Sequence, residues 1–248
     1  MKYELETIPI WDAYDMETEC PLCVLGDRAE KRYIDFFLGS SVMAPEMRVE
    51  VNKTGFCRKH FQELFSSEKN RHGLGLLSHT HVKEFITPLF KKQRNLSALS
   101  KVKTSPRLKK STHAYNKFLQ EHEKACLICD RLDYTLKRYA FTIVYLWQTD
   151  PKFEEKFGES KGFCLYHSPY VLDMAAEVIG GGKYSSFINQ VLSLQEKSFK
   201  RLEKEILWYT QKFDYQNNDK PWGTSKDALN RILQKLTGVV MHDRDSRK

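Results

Sequence analysis

Apolar residues recur along this chain at three- and four-residue steps, and no stretch alternates apolar with polar over the length of a strand. The clearest run follows Gly180-Gly181-Gly182. There Ile188, Leu192, Gln195, Phe199, Leu202, Ile206, Tyr209 and Phe213 form a heptad-like seam with one polar member. The pattern predicts a helix of roughly thirty residues. Its seam suits packing within the chain, with a homodimer through residues 183–213 as the second reading. An earlier stripe after Gly75, formed by Val82, Phe85, Leu89, Leu96 and Leu99, predicts a companion helix that Pro88 would kink. The expected fold class is all-α.

Chemistry is concentrated in a doubled motif that uses every cysteine. Cys20-Pro21-Leu22-Cys23 precedes Gly55-Phe56-Cys57-Arg58-Lys59-His60, and Cys126-Leu127-Ile128-Cys129 precedes Gly162-Phe163-Cys164-Leu165-Tyr166-His167. Three thiolates and one imidazole are the ligand set of a closed tetrahedral zinc site. Cys20, Cys23, Cys57 and His60 are expected to form one site, and Cys126, Cys129, Cys164 and His167 the other. Each intervening helix would then act as a long finger loop whose two ends the metal ties. A tight C-x2-C turn lets two thiolates converge, and Cys and His three residues apart share a helix face. Gly55 and Gly162 suit a sharp turn before that face, and Phe56 and Phe163 would pack beneath it. Two zinc ions are the expected cofactors, with an iron–sulfur cluster as the competitor.

The correspondence extends beyond the ligands. In the register that takes Cys20 to Cys126, Asp27 meets Asp133, Lys31-Arg32-Tyr33 meets Lys137-Arg138-Tyr139, and Pro45 meets Pro151. One residue is inserted where Asn52-Lys53-Thr54 faces Gly158-Glu159-Ser160-Lys161, as a surface loop would absorb it. Gly73 and Gly75 then meet Gly180 and Gly182. The expectation is an internally duplicated protein, each half built around one Cys3His site and ending in a long amphipathic helix. The halves are placed at residues 1–100 and 119–215, joined by a basic linker at 101–118 and followed by a tail with a short helix at 216–248.

Composition narrows the setting. The chain has 248 residues, 41% hydrophobic and 29% charged, enough for a real core. No apolar run approaches a membrane span and the N-terminus has no apolar signal segment, so a cytoplasmic protein is expected. Thiols stay reduced there, which favours metal over three disulfides. The formal charge of +8 is uneven. Between Glu84 and Glu121 there is no acidic residue, while Lys91, Lys92, Arg94, Lys101, Lys103, Arg107, Lys109, Lys110 and Lys117 accumulate. This stretch is either a solvated connector or a footprint for a polyanion.

The segments Glu19-Cys20-Pro21-Leu22-Cys23, Met43-Ala44-Pro45-Glu46-Met47-Arg48-Val49-Glu50 and Gly55-Phe56-Cys57-Arg58-Lys59-His60-Phe61, with the second motif set, resemble an uncharacterised bacterial family of unknown function. The resemblance covers nearly the whole chain. It implies the tandem architecture and a bacterial cytoplasmic setting, and it supplies no reaction. No phosphate loop, nucleotide fingerprint, Ser-His-Asp set or open metal triad is present, and Glu154-Glu155 reads as a solvated face. The expected function is a non-enzymatic, zinc-stabilised helical module that binds a protein or nucleic-acid partner. A redox or metal sensor and a nucleic-acid-binding regulator using residues 91–117 are the alternatives.

Overall fold

The structure, a computed structural model, describes residue 3, residues 5–100 and residues 106–241. Among the described residues there are helices and turns but no strand: α1 (Thr7–Tyr14), α2 (Pro21–Leu38), α3 (Pro45–Thr54), α4 (Arg58–Ser66), α5 (Arg71–Ser100), α6 (Pro106–Lys124), α7 (Leu127–Thr149), α8 (Pro151–Glu159), α9 (Ser168–Val178), α10 (Gly182–Gln211) and α11 (Ala228–Thr237). Prolines open α2, α3, α6 and α8, where the missing N–H has no helical partner to lose. After each C-x2-C the order of elements is the same. A long helix leads to a short one opened by proline, a glycine with φ near +70° (Gly55 at 71°, Gly162 at 70°), another short helix and a helix of 30 residues.

The chain forms two compact units, one from Met1–Ala29 with Asp133–Lys248 and the other from Glu30–Leu132. The boundaries of these units fall inside α2 and α7. The first unit buries Ile10, Leu22, Leu25, Tyr139, Phe153, Phe157, Phe163 and Phe187. Trp147 meets Phe187 edge-on at 4.9 Å and donates its indole N–H to Gln190 at 2.8 Å. In the second unit Phe37, Leu38, Val42, Val51, Phe56, Leu64, Leu74 and Leu77 form a core that also takes in Cys126 and Ile128.

The α10 seam is rotated from its expected position. Phe187, Val191, Leu194, Ser198 and Leu202 are the buried residues, while Leu192 is 48% and Phe213 72% exposed. Ile188, Gln195, Phe199, Ile206 and Tyr209 are half-buried beside them. The helix carries two neighbouring apolar stripes, and periodicity does not say which one the core takes. On α5, burial is confined to Gly73, Leu74, Leu77 and His81; Phe85, Leu89, Leu96 and Leu99 are half-buried and Val82 is exposed. The expected basic linker is helical over most of its length, since α6 lies along α5. Gln93 donates to the Tyr115 hydroxyl at 3.1 Å, and Phe85 stacks on Phe118 and His122 at 5.7 and 3.8 Å. Lys101 and Lys103 lie outside the described residues. No helix among the described residues is long and apolar enough to cross a membrane.

Candidate metal centres

All eight expected ligands gather into two four-residue sets, but the sets are exchanged. Cys20 and Cys23 meet Cys164 and His167; Cys57 and His60 meet Cys126 and Cys129. The expectation that each motif closes on its own second half is therefore corrected. Helix length supplies the reason. The 23 residues of α7 carry the chain about 35 Å from its C-x2-C, whereas the 9 residues of α8 offer about 14 Å of return before the turn at Gly162. Each pair of cysteines is left behind by the helix it starts, and a ligand pair from the other motif completes it.

The geometry suits one ion per set. In the first centre Cys23 Sγ lies 3.6 Å from Cys164 Sγ, and His167 Nδ1 lies 3.2, 3.4 and 3.7 Å from the sulfurs of Cys164, Cys23 and Cys20. In the second, Cys57 Sγ is 3.8 Å from Cys129 Sγ, and His60 Nδ1 is 3.1, 3.3 and 3.3 Å from Cys126, Cys57 and Cys129. A tetrahedron with metal–sulfur bonds of about 2.3 Å and a metal–nitrogen bond of about 2.0 Å has edges of roughly 3.5–3.8 Å. The six cysteines are free thiols, so the disulfide reading has no support. Backbone N–H groups of His167 and Cys129 point at Cys164 and Cys126 sulfurs at 3.3 and 3.5 Å, an arrangement that favours thiolate.

Local backbone explains how the ligands are presented. Gly55 and Gly162 take positive φ, and a Cβ on Gly55 would stand 2.6 Å from the His81 ring. Cys57 caps α4 and His60 sits in its first turn, as the Cys-x2-His spacing predicts. His167 instead caps α9, so Cys164 to His167 forms a turn ahead of that helix. Phe56 and Phe163 are buried under their turns, as expected.

The two centres differ in their surroundings. All four ligands of the first are buried, and α11 closes over it. Lys235, fully buried, sends its ammonium to the carbonyls of Glu19 at 2.9 Å and Lys161 at 2.5 Å, while Leu165 N–H donates to the Lys235 carbonyl at 2.9 Å. Burial holds the Lys235 ammonium below its usual pKa, against the pull of Cys20, Glu19 and Cys164. The Glu19 carboxylate, also buried, accepts two 2.7 Å hydrogen bonds from Arg201 and lies 3.5 Å from Arg231. Nothing in the motifs points to Lys235, Arg201 or Arg231, because α10 and α11 bring them to this place only in three dimensions.

At the second centre Cys129 is exposed and Cys57 half-buried. His60 turns Nδ1 to the sulfurs and places Nε2 2.9 Å from Glu30, which Lys59 also binds at 2.6 Å. Burial pushes the Glu30 carboxyl up, but the bonds from His60 and Lys59 outweigh it and hold it below the ordinary range. Burial likewise pushes the Cys126 thiol up, and hydrogen bonds from His60 and the backbone bring it down to about 6. His60, lowered by burial and raised by Cys126 and Glu30, stands at about 10. An arriving cation must release that proton, so its affinity climbs with pH. Glu63 lies 3.9 Å from the same Nε2, but Lys59 is among these carboxylates and balances them.

Glu30 is a positioning residue that the motif does not reveal. In the two-motif register its counterpart is Leu136, and among the described residues no carboxylate reaches His167. Glu30→Gln is expected to weaken metal affinity at the second centre by about 10–100-fold and to leave the first unchanged. Competition with a chromogenic chelator, resolving the two sites, measures this; equal weakening at both would refute it.

The remaining expectations separate cleanly. Lys91, Lys92, Arg94, Arg107, Lys109 and Lys110 are all exposed on α5 and α6, away from the ligand sets. Lys137 and Arg138 pair with Asp133 and Glu6, Tyr139 is buried and Tyr33 packs on the second core, so the two repeated tyrosines act in packing. Glu154 and Glu155 are exposed.

A family model described as "Family of unknown function (DUF6062)" matches residues 1–243. The chain is also similar, at 25% identity over 201 residues, to a protein of Caldicellulosiruptor sp. (strain Rt8B.4) described as "Uncharacterized 23.9 kDa protein in xynA 3'region"; the match covers 81% of this chain and 85% of that one. No solved structure matches the chain.

Proposed function

The chain belongs to the DUF6062 family, a family of unknown function, and we propose that it is a non-enzymatic helical module stabilised by two structural zinc ions and acting through a partner macromolecule. The observation that carries this reading is the assembly of eight ligand atoms into two complete four-ligand sets with single-ion spacing. Mixed sulfur and nitrogen donors suit zinc. The four protein ligands of an iron–sulfur cluster are divided among two or more irons, so they cannot all lie one tetrahedral edge from one another. With all four positions supplied by protein, water has no place from which to attack a substrate. A cytoplasmic setting, where thiols stay reduced, agrees with this chemistry.

The matching order of elements and the exchanged ligand pairs support an ancestral duplication in which each copy completes the other's site. Self-association through α10 is the weaker partner reading, since Phe187, Val191, Leu194 and Leu202 are already used inside the first unit. A redox role has one observation in its favour, the exposure of Cys129 at the second centre.

Metal content and absorbance of anaerobically purified protein test the proposal. Two zinc ions per chain and no visible band are expected. Iron with sulfide and a visible band would replace the structural reading with a redox one, and protein holding neither metal would end both.

A further inference from the structure

Several basic side chains of the second unit pair with acids: Lys59 with Glu30, Lys69 with Asp35, Arg58 with Glu123, Arg71 with Glu68 and Arg131 with Glu50. The α5–α6 hairpin breaks that pattern. From Val82 to Ala125 not one described residue is buried, so this part of the hairpin packs on itself and not into a core. At 1.5 Å per residue, the stretch from Val82 to Ser100 is an arm about 28 Å long. Six of its cations, Lys91, Lys92, Arg94, Arg107, Lys109 and Lys110, are exposed, and among the described residues none of these six pairs with a carboxylate, whereas Lys117, nearer the root, pairs with Glu121. The sequence from residue 85 to residue 120 contains no acid that could do so.

The kind of polyanion follows from what else the arm exposes. Phe85 stacks on Phe118 at 5.7 Å with Lys92 over the Phe118 ring at 4.9 Å, and of the arm's described large apolar side chains only Val82, Phe90 and Leu119 are exposed, too few for a continuous apolar face to enter a lipid surface. Phe90, 47% exposed, is a solitary aromatic where single-strand binders present several stacking platforms. What remains is positive charge on both helices, the requirement for phosphates spaced along a duplex.

The arm is also rooted at the second metal centre. His81, near the start of α5, lies against Gly55 and is 2.9 Å from the Asn52 carbonyl; His122, near the end of α6, stacks on His81 at 5.2 Å. Leu127 N–H, just after Cys126, donates to the Gly55 carbonyl at 3.1 Å. Both roots therefore end on the turns that carry Cys57 and Cys126. We infer that α5 and α6 form a basic arm that binds the phosphate backbone of duplex DNA without reading its sequence, and that metal at the second centre fixes its roots. The anchoring clause rests on the zinc reading; the DNA-binding clause does not.

Fluorescence anisotropy with a labelled DNA duplex of about thirty base pairs tests this, using a single strand of equal length and phosphatidylserine vesicles as comparators. Affinity for the duplex is expected to fall linearly on a log–log plot against salt, with a slope of about −0.9 per phosphate contacted. A variant carrying Lys91→Gln, Lys92→Gln, Arg94→Gln, Arg107→Gln, Lys109→Gln and Lys110→Gln should lose about 100-fold in affinity, flatten the slope and retain native helicity and metal. Cys129→Ser, depleted of its second metal by a mild chelator, should lose about tenfold. Undiminished binding by the six-charge variant, or preference for vesicles or single strands, would overturn the arm. Zinc-loaded protein that ignores DNA would sink the arm and spare the zinc reading. DNA binding by metal-free protein, unchanged on loading, would sink the anchor.

Discussion

Cys164→Ser is expected to unfold the first unit at room temperature, while Cys129→Ser leaves the second unit folded with a weakened centre. Both changes remove one thiolate from a four-ligand set, so composition alone gives no reason for them to differ. Cys164 is fully buried with its three companions, and no solvent is at hand to take its place. Structural zinc contributes on the order of ten kcal/mol or more, comparable with the whole stability of a domain. Its loss from a closed centre also leaves Cys20, Cys23 and His167 crowded in a cavity that burial makes hostile to charge. Cys129 is exposed, so water can occupy the vacated position and the ion can remain with lower affinity. Zinc stoichiometry and thermal melts followed by circular dichroism distinguish the cases. Equal destabilisation by the two variants would show that exposure does not rank the centres.

The second large effect is expected at Lys235→Met, which keeps the side chain's bulk and removes its ammonium. Lys235 is fully buried and donates to two carbonyls that flank the first centre. Three thiolates around a dication would leave one net negative charge, and the buried Lys235 ammonium lies within the electrostatic reach of Cys20 and Cys164. Its loss takes a donor from the Glu19 carbonyl, leaves the Lys161 carbonyl with the Ser198 hydroxyl alone, and unbalances the charge, at about 2–4 kcal/mol. Chemical denaturation should show that fall in midpoint, together with faster zinc loss from the first centre. A variant as stable as the parent would mean that burial of the ammonium cancels what its bonds contribute. Lys235 also tells against reading residues 216–248 as a mere tail, since α11 closes over the first centre.

Ligand identity was legible because it is local. C-x2-C and C-x2-H set residue types at spacings that a turn or a helix start brings together, and Gly55 and Gly162 mark those turns. Charge was equally legible, since the acid-free stretch is plain in composition, but the segment expected as a linker is helical from Pro106, which opens α6. Glu30 was hidden among 32 acidic residues, with nothing in its spacing to show that it would meet His60. His81 belongs to neither ligand motif, yet it backs the Gly55 turn.

The sequence by itself determined an all-α chain, the eight cysteines and histidines of two clusters that could hold metal ions, the two glycine turns and an uneven field of positive charge. These follow from helical periodicity, side-chain chemistry and composition, all properties of neighbouring residues. Tertiary structure alone decided which cysteines share an ion, which centre is sealed, which carboxylate orients a histidine and where the basic stretch stands. Those outcomes depend on where long helices deliver their far ends. Cys20 and Cys23 therefore close on Cys164 and His167, which lie far along the chain, and not on Cys57 and His60, which come first.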